Sequence, residues 1–221
     1  MAKLIGNINK ELNCDQLLLD LQGGHREYHT FRDSEGNLDR ISKMLINDPN
    51  ADERLVKVIQ ADYPGPMCDG LIYTGKHFPE KYIHKLDEIL DTVCLRVVVS
   101  EFSPGKLTVP HYDYAREKDQ DKEHKLRKLG TIHGYHVHLG EPEEGHGFMI
   151  EGVCCYMQEQ GNLWQWDNYL SWHSAVNTGF NPKRILSYFG LKPHNPLPEY
   201  KYKYDEKSEC VELEFADGTI I

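Results

Sequence analysis

The chain has 221 residues, with 35 acidic against 25 basic side chains and a formal net charge of -10. That length suits one domain with a sizeable core, and the charge argues against a nucleic-acid backbone or an anionic membrane surface as the main partner. No apolar run approaches the roughly 20 residues of a membrane helix, and the first residues lack the basic start and apolar core of a signal peptide, so a cytoplasmic protein is expected.

Residues 1–92 read as helical and irregular. A helix is expected through Asp15–Leu21, stopped by Gly23-Gly24, and turns break the stretch at Asn47-Asp48-Pro49-Asn50 and at Tyr63-Pro64-Gly65-Pro66. The clearest helix begins at Pro79, a residue suited to the first helical position. Tyr82, Ile83, Leu86, Ile89 and Leu90 then recur at three and four to give one apolar stripe. From residue 93 to 198 the pattern changes to short strands separated by turns: Leu95–Phe102, Thr108–Tyr114, Gly134–Leu139, Gly147–Val153, Cys155–Glu159, Leu163–Trp166, Ser171–Val176 and Arg184–Gly190. The expected fold is mainly β with flanking helices, the eight strands forming a double-stranded β-helix, a jelly-roll of the cupin type. The charge-dense stretch 115–129 reads as a solvated segment or as a lid over a site. The tail 199–221 reads as a hairpin, alternating Tyr200, Tyr202, Tyr204 with Val211, Leu213, Phe215, that edges the sheet of a monomer or homodimer. Cysteines at 14, 68, 94, 154, 155 and 210 form no CxxC pair, and adjacent Cys154 and Cys155 would face opposite sides of a strand, so reduced thiols are expected.

Chemistry concentrates in four residues. His111 and Asp113 are two apart, so on a strand both point to one face and chelate one metal while Tyr112 faces away. His173 follows sixty residues after Asp113, and Arg184 eleven further on. Two imidazoles and one carboxylate make the facial triad of a non-haem Fe(II) oxygenase, which leaves positions open for co-substrate and O2. If the chain doubles back at Asn177-Thr178-Gly179, His173 and Arg184 become near cross-strand neighbours. The guanidinium would then clamp the free carboxylate of a keto-acid bound to the iron. A competing assignment gives the metal to His136 and His138, which share one strand face, but no carboxylate follows them at a matching spacing.

The stretch from about Cys94 to Pro198 resembles the aspartyl/asparaginyl β-hydroxylase-like family of 2-oxoglutarate oxygenases. The resemblance rests on Ser100 with Phe102-Ser103-Pro104-Gly105 ahead of Pro110-His111, on His136-Val137-His138-Leu139-Gly140, and on Trp172-His173-Ser174-Ala175-Val176-Asn177 followed by Arg184. It implies that His111 and His173 bind iron, that Arg184 binds the distal carboxylate of 2-oxoglutarate, and that Ser100 and His138 assist at the co-substrate. Asp113 completes a triad that some relatives lack, which implies hydroxylation rather than halogenation. His136 stands where some relatives carry an arginine, which leaves the substrate class open. The expected activity is hydroxylation of an unactivated C–H bond of a small molecule, a free amino acid or related metabolite, with release of succinate and CO2. The rivals are a hydroxylase of peptide or protein side chains and a metal-binding cupin that oxidises nothing.

Overall fold

The computed structural model describes residues 2–21, 46–47, 49, 72–74, 77–106, 108, 124–156, 159–166, 173–204 and 211–221. Two sheets face each other across a common core. The larger contains β1 (Lys3–Asn7), β7 (Asn162–Trp166), β4 (Gly130–His138), β9 (Lys183–Pro193), β3 (Val93–Phe102) and β2 (Ile72–Thr74), hydrogen-bonded in that order; the smaller is β6 (Val153–Tyr156), β5 (His146–Ile150) and β8 (His173–Asn177). Every pairing is antiparallel. Together they form the expected double-stranded β-helix.

The central strands β3, β4 and β9 are largely buried on both faces because both faces are covered. Val97, Val99, Tyr135, Val137, Leu186 and Tyr188 pack outward against the helices α1 (Asn9–Leu12), α2 (Cys14–Asp20) and α3 (Glu80–Leu90). Phe102, Ile185, Phe189 and Trp166 point inward, against Phe148 and Ile150 of β5 and Ala175 of β8. Burying each such side chain contributes on the order of 2 kcal/mol, so this pattern fixes which face of each strand lines the barrel.

Helix α3 buries the predicted stripe of Tyr82, Ile83, Leu86 and Leu90. Pro79 lies one residue before it, as the extended N-cap rather than the first helical residue. The predicted strand Gly147–Val153 is instead a strand and a turn. Ile150 pairs with Val153, and the two residues between them, Glu151 and Gly152, both have positive φ, the conformation a two-residue hairpin turn needs. Cys155 then turns in and Cys154 out. Residues 1–92 are not purely helical and irregular, since β1 extends the larger sheet beside β7 and β2 beside β3. The C-terminal hairpin, β10 (Tyr200–Tyr204) and β11 (Val211–Phe215), forms as predicted but stands apart as a two-stranded sheet. It is held against α3 and β3: Tyr202 Oη donates to Asp87 and accepts from the backbone N–H of Cys94, and Tyr188 Oη donates to Asp87 at 2.5 Å.

One expectation is overturned with consequences for the site. β8 and β9 do not form a hairpin; His173 pairs with Ile150 in the small sheet, and Arg184 pairs with Glu101 in the large one. The turn 178–182 is a crossover between sheets. Its course is set by Asn177, a fully buried amide that donates to the Phe102 carbonyl at the end of β3 (2.7 Å) and to the Asn181 carbonyl (2.8 Å). The Glu143 carboxylate accepts from the N–H groups of Phe180 and Asn181 (2.7 and 2.8 Å). These bonds direct the chain to the larger sheet.

Candidate functional site

Period-two alternation brings the chemistry-bearing residues of several strands onto the inner face of the barrel. Ser100 of β3 and His138 of β4 both pair with Ile185 of β9, whose side chain belongs to the inner core, so all three share that face. His136 of β4 shares it too. Its ring lies 4.5 Å from Trp166, 4.9 Å from Phe148 and 6.5 Å from the ring of His173, centroid to centroid. Trp166 is fully buried and reaches this position because Gly134 has no side chain; a Cβ there would stand 2.3 Å from the indole. His173, half-buried, therefore sits beside an aromatic wall of Trp166, Phe148 and His136.

Farther along the barrel lies a buried basic cluster. Lys183 has no exposed surface; its Nζ donates to the carbonyls of Gly147 and Val176, the latter at 3.0 Å, and stands 5.4 Å from the centre of the Phe102 ring. No ion pair to it exists among the described residues. His138 is equally buried, and neither ring nitrogen has a hydrogen-bond partner there. His146 packs 5.7 Å from His138 and uses Nε2 on the Asn181 carbonyl at 3.1 Å. Desolvation pushes Lys183 down to about 7. Desolvation, reinforced by neighbouring His146 and Lys183, pushes His138 down to about 4 against a smaller opposing effect of the Glu141 backbone. His146 is lowered as well, chiefly by burial.

Arg184 does not join this interior. It projects from the opposite face of β9, where its Nε lies 2.5 Å from the Glu101 carboxylate. Its neighbours two and four along, Leu186 and Tyr188, belong to the core under the helices. The expected juxtaposition of Arg184 with His173 fails because β9 turns Arg184 to the outer face of the larger sheet, whereas His173 lies across the barrel interior on the smaller one. The cation that alternation turns inward is Lys183, one residue earlier. Lys183 is missed by sequence reasoning because both faces of β9 are buried, leaving no polar alternation to show which of two adjacent cations points in, and His146 because the strand read from the sequence began one residue later, at Gly147.

His111 and Asp113 lie outside the described residues, as do Ser171, Trp172 and most of the proposed lid, whose last residues, 124–129, are helical. The chain leading to His111 is described as far as Thr108. Gly105 N–H donates to the Asn177 carbonyl, Asn177 N–H to the Lys106 carbonyl, and Thr108 N–H to the Ala175 carbonyl, each at 2.8 Å. The Ala175 N–H donates to Thr108 Oγ1 at 2.7 Å. Gly105, Lys106 and Thr108 thus follow β8 in the antiparallel direction, toward its His173 end. Among the described residues no three His, Cys, Asp or Glu side chains gather as a metal site, and no described helix is long and apolar enough to cross a membrane.

No family model matches this sequence, and no curated protein does. Solved structures do. A viral collagen prolyl hydroxylase from Paramecium Bursaria Chlorella virus-1, in its 2OG complex, is 13% identical with a TM-score of 0.48, covering 86% of this chain and 95% of that one. A predicted oxalate decarboxylase from Thermotoga maritima is 14% identical with a TM-score of 0.34, covering 55% and 80%. A cupin domain from Bordetella pertussis is 12% identical with a TM-score of 0.30, covering 45% and 82%. At such identities the likeness is one of fold.

Proposed function

We propose that this chain is an Fe(II)/2-oxoglutarate-dependent oxygenase in which His111, Asp113 and His173 hold the metal and Lys183, rather than Arg184, receives the far carboxylate of the co-substrate. The observation that carries the reading is Lys183: a cation buried inside the barrel, which among the described residues meets two backbone carbonyls, the Phe102 ring and the neighbouring imidazoles of His138 and His146, and no carboxylate. A buried ammonium without a counter-charge costs several kcal/mol, and a carboxylate ligand offsets that cost.

The donor set suits the metal, since two imidazoles and a carboxylate with open positions select Fe(II) chemistry. His111 is three residues beyond Thr108, a reach of at most roughly 10 Å, and Thr108 is hydrogen-bonded to Ala175, two residues from His173. The iron, when bound, supplies activation of O2 coupled to oxidative decarboxylation of the keto-acid to succinate and CO2. The protein's part is to bind and orient. The Val176 carbonyl that Lys183 holds lies three residues from His173 along β8, roughly 10 Å. A diacid bound at its keto end near His173 therefore projects its second carboxylate toward Lys183. Ser100 and His138, on the same inner face, supply further donors. Trp166, Phe148 and His136 exclude water on the side of His173. The substrate we favour is a free amino acid or similarly small metabolite.

Anaerobic addition of Fe(II) and then 2-oxoglutarate tests the reading. A visible charge-transfer band, and succinate formation on admitting O2 with a panel of amino acids, are expected. Metal binding with neither would assign the chain to the non-oxidising cupins. Lys183→Met should weaken 2-oxoglutarate binding at least tenfold while Arg184→Ala leaves it within about twofold; the reverse outcome would return the clamp to Arg184.

A further inference from the structure

Three basic side chains meet between the sheets, and no described residue supplies an acidic partner to Lys183 or His138. Lys183 is approached from β5 by the Gly147 carbonyl, from β8 by the Val176 carbonyl and from β3 by the Phe102 ring, and His138 of β4 and His146 of β5 stand close enough to interact electrostatically. The described carboxylate nearest this cluster is Glu143, 3.7 Å from His146 Nε2, and its oxygens already accept the Phe180 and Asn181 N–H groups. Glu101 pairs with Arg184 on the other face of the sheet. Among the described residues, neither nitrogen of His138 nor Nδ1 of His146 makes a hydrogen bond. Buried polar atoms are ordinarily satisfied, so this cluster is built for a ligand that brings acceptors and negative charge.

We propose that the pocket takes a carboxylate together with a proton: the fully buried Lys183 amine, which no described carboxylate faces, gains a proton and becomes the ammonium as the ligand arrives. The inference rests on the co-substrate reading above and adds a proton which that reading does not require. The balance is simple. One proton from solvent joins the Lys183 lone pair, and the resulting ammonium pairs with the ligand carboxylate; nothing is oxidised or reduced. Burial alone disfavours the ammonium, whereas an opposite charge within hydrogen-bond distance restores it. The depressed basicity of Lys183 has that same cause, desolvation. His138 remains neutral and offers one N–H to the carboxylate.

Calorimetric titration of the metal-free full chain with 2-oxoglutarate, and with glutarate as a probe lacking the keto group, decides the matter. Both ligands are almost entirely dianions at pH 8 and above. At pH 8, in two buffers of different ionisation enthalpy, the apparent binding enthalpies should differ by nearly the full buffer difference, corresponding to uptake of about one proton. At pH 6 the difference should shrink toward zero. Affinity should fall close to tenfold from pH 8 to pH 9. Lys183→Arg, which cannot lose its proton in this range, should bind without buffer dependence. Buffer-independent enthalpy in the wild type at pH 8, with binding intact, overturns the coupling and leaves the carboxylate pocket standing. No binding of either diacid at pH 6 overturns the pocket and the coupling together.

Discussion

Replacing Lys183 by methionine keeps the length of the side chain and removes its charge, so it isolates what burying that amine costs the fold. Lys183 is fully buried and its basicity falls from 10.5 to about 7. The folded protein therefore binds fewer protons than the unfolded chain between those two values. Stability must rise with pH across that window and be flat, at its full penalty, below about 7. Each unit is worth about 1.4 kcal/mol, so from pH 7 to pH 9 the wild type should gain about 2–3 kcal/mol from this residue, and Lys183→Met should gain none of it. The variant also leaves the Gly147 and Val176 carbonyls without their donor, at about 1–3 kcal/mol each, so its absolute stability at pH 7 should change little while its pH slope changes much. Urea unfolding at pH 6, 7, 8 and 9 for both proteins measures this. The difference between them is the informative quantity, because buried thiols such as Cys14, pushed up to about 12 by desolvation, add an opposite trend common to both. Parallel pH profiles for wild type and variant would refute the claim that burial depresses the basicity of Lys183.

Three further outcomes are expected. Gly134→Ala should lower stability by about 1–3 kcal/mol, as overpacking does, because its Cβ meets the Trp166 indole; a melting temperature unchanged within a degree would show that the aromatic wall can yield. Asn177→Ala removes a buried amide that donates to the Phe102 and Asn181 carbonyls and accepts from Gly179 N–H, and should cost at least about 2 kcal/mol in denaturant unfolding. His173→Ala should reduce bound Fe(II) by tenfold or more in a metal-binding titration while the stability of the metal-free protein stays within about 1 kcal/mol; full metal occupancy in the variant would remove His173 from the ligand set.

Much of the architecture is legible along the chain. The stripe at Tyr82, Ile83, Leu86 and Leu90 specifies α3, the β-branched run of β3 specifies a strand, and the alternation of Tyr200, Tyr202 and Tyr204 specifies the hairpin, because each pattern depends only on the local period of the backbone. Strand β1 escapes this reading because its burial comes from no face of its own: all five of its residues are exposed, and it forms by hydrogen-bonding to β7. The split of residues 147–153 into strand and turn is missed for another reason: the two-residue turn carries its glycine, Gly152, only at the second position, while Glu151 adopts the left-handed conformation at the first.

The sequence by itself determined that this is a β-rich chain with His111 and Asp113 two residues apart and His173 on a later strand, because residue identity and strand period need no tertiary information. Only the tertiary structure decided which cation enters the barrel. Lys183 and Arg184 are adjacent, and the side-chain period of two sends them to opposite faces. Both faces of β9 are buried, so composition cannot say which is inside. Asn177 and Glu143, by fixing the crossover from β8, set that phase and turn the lysine inward.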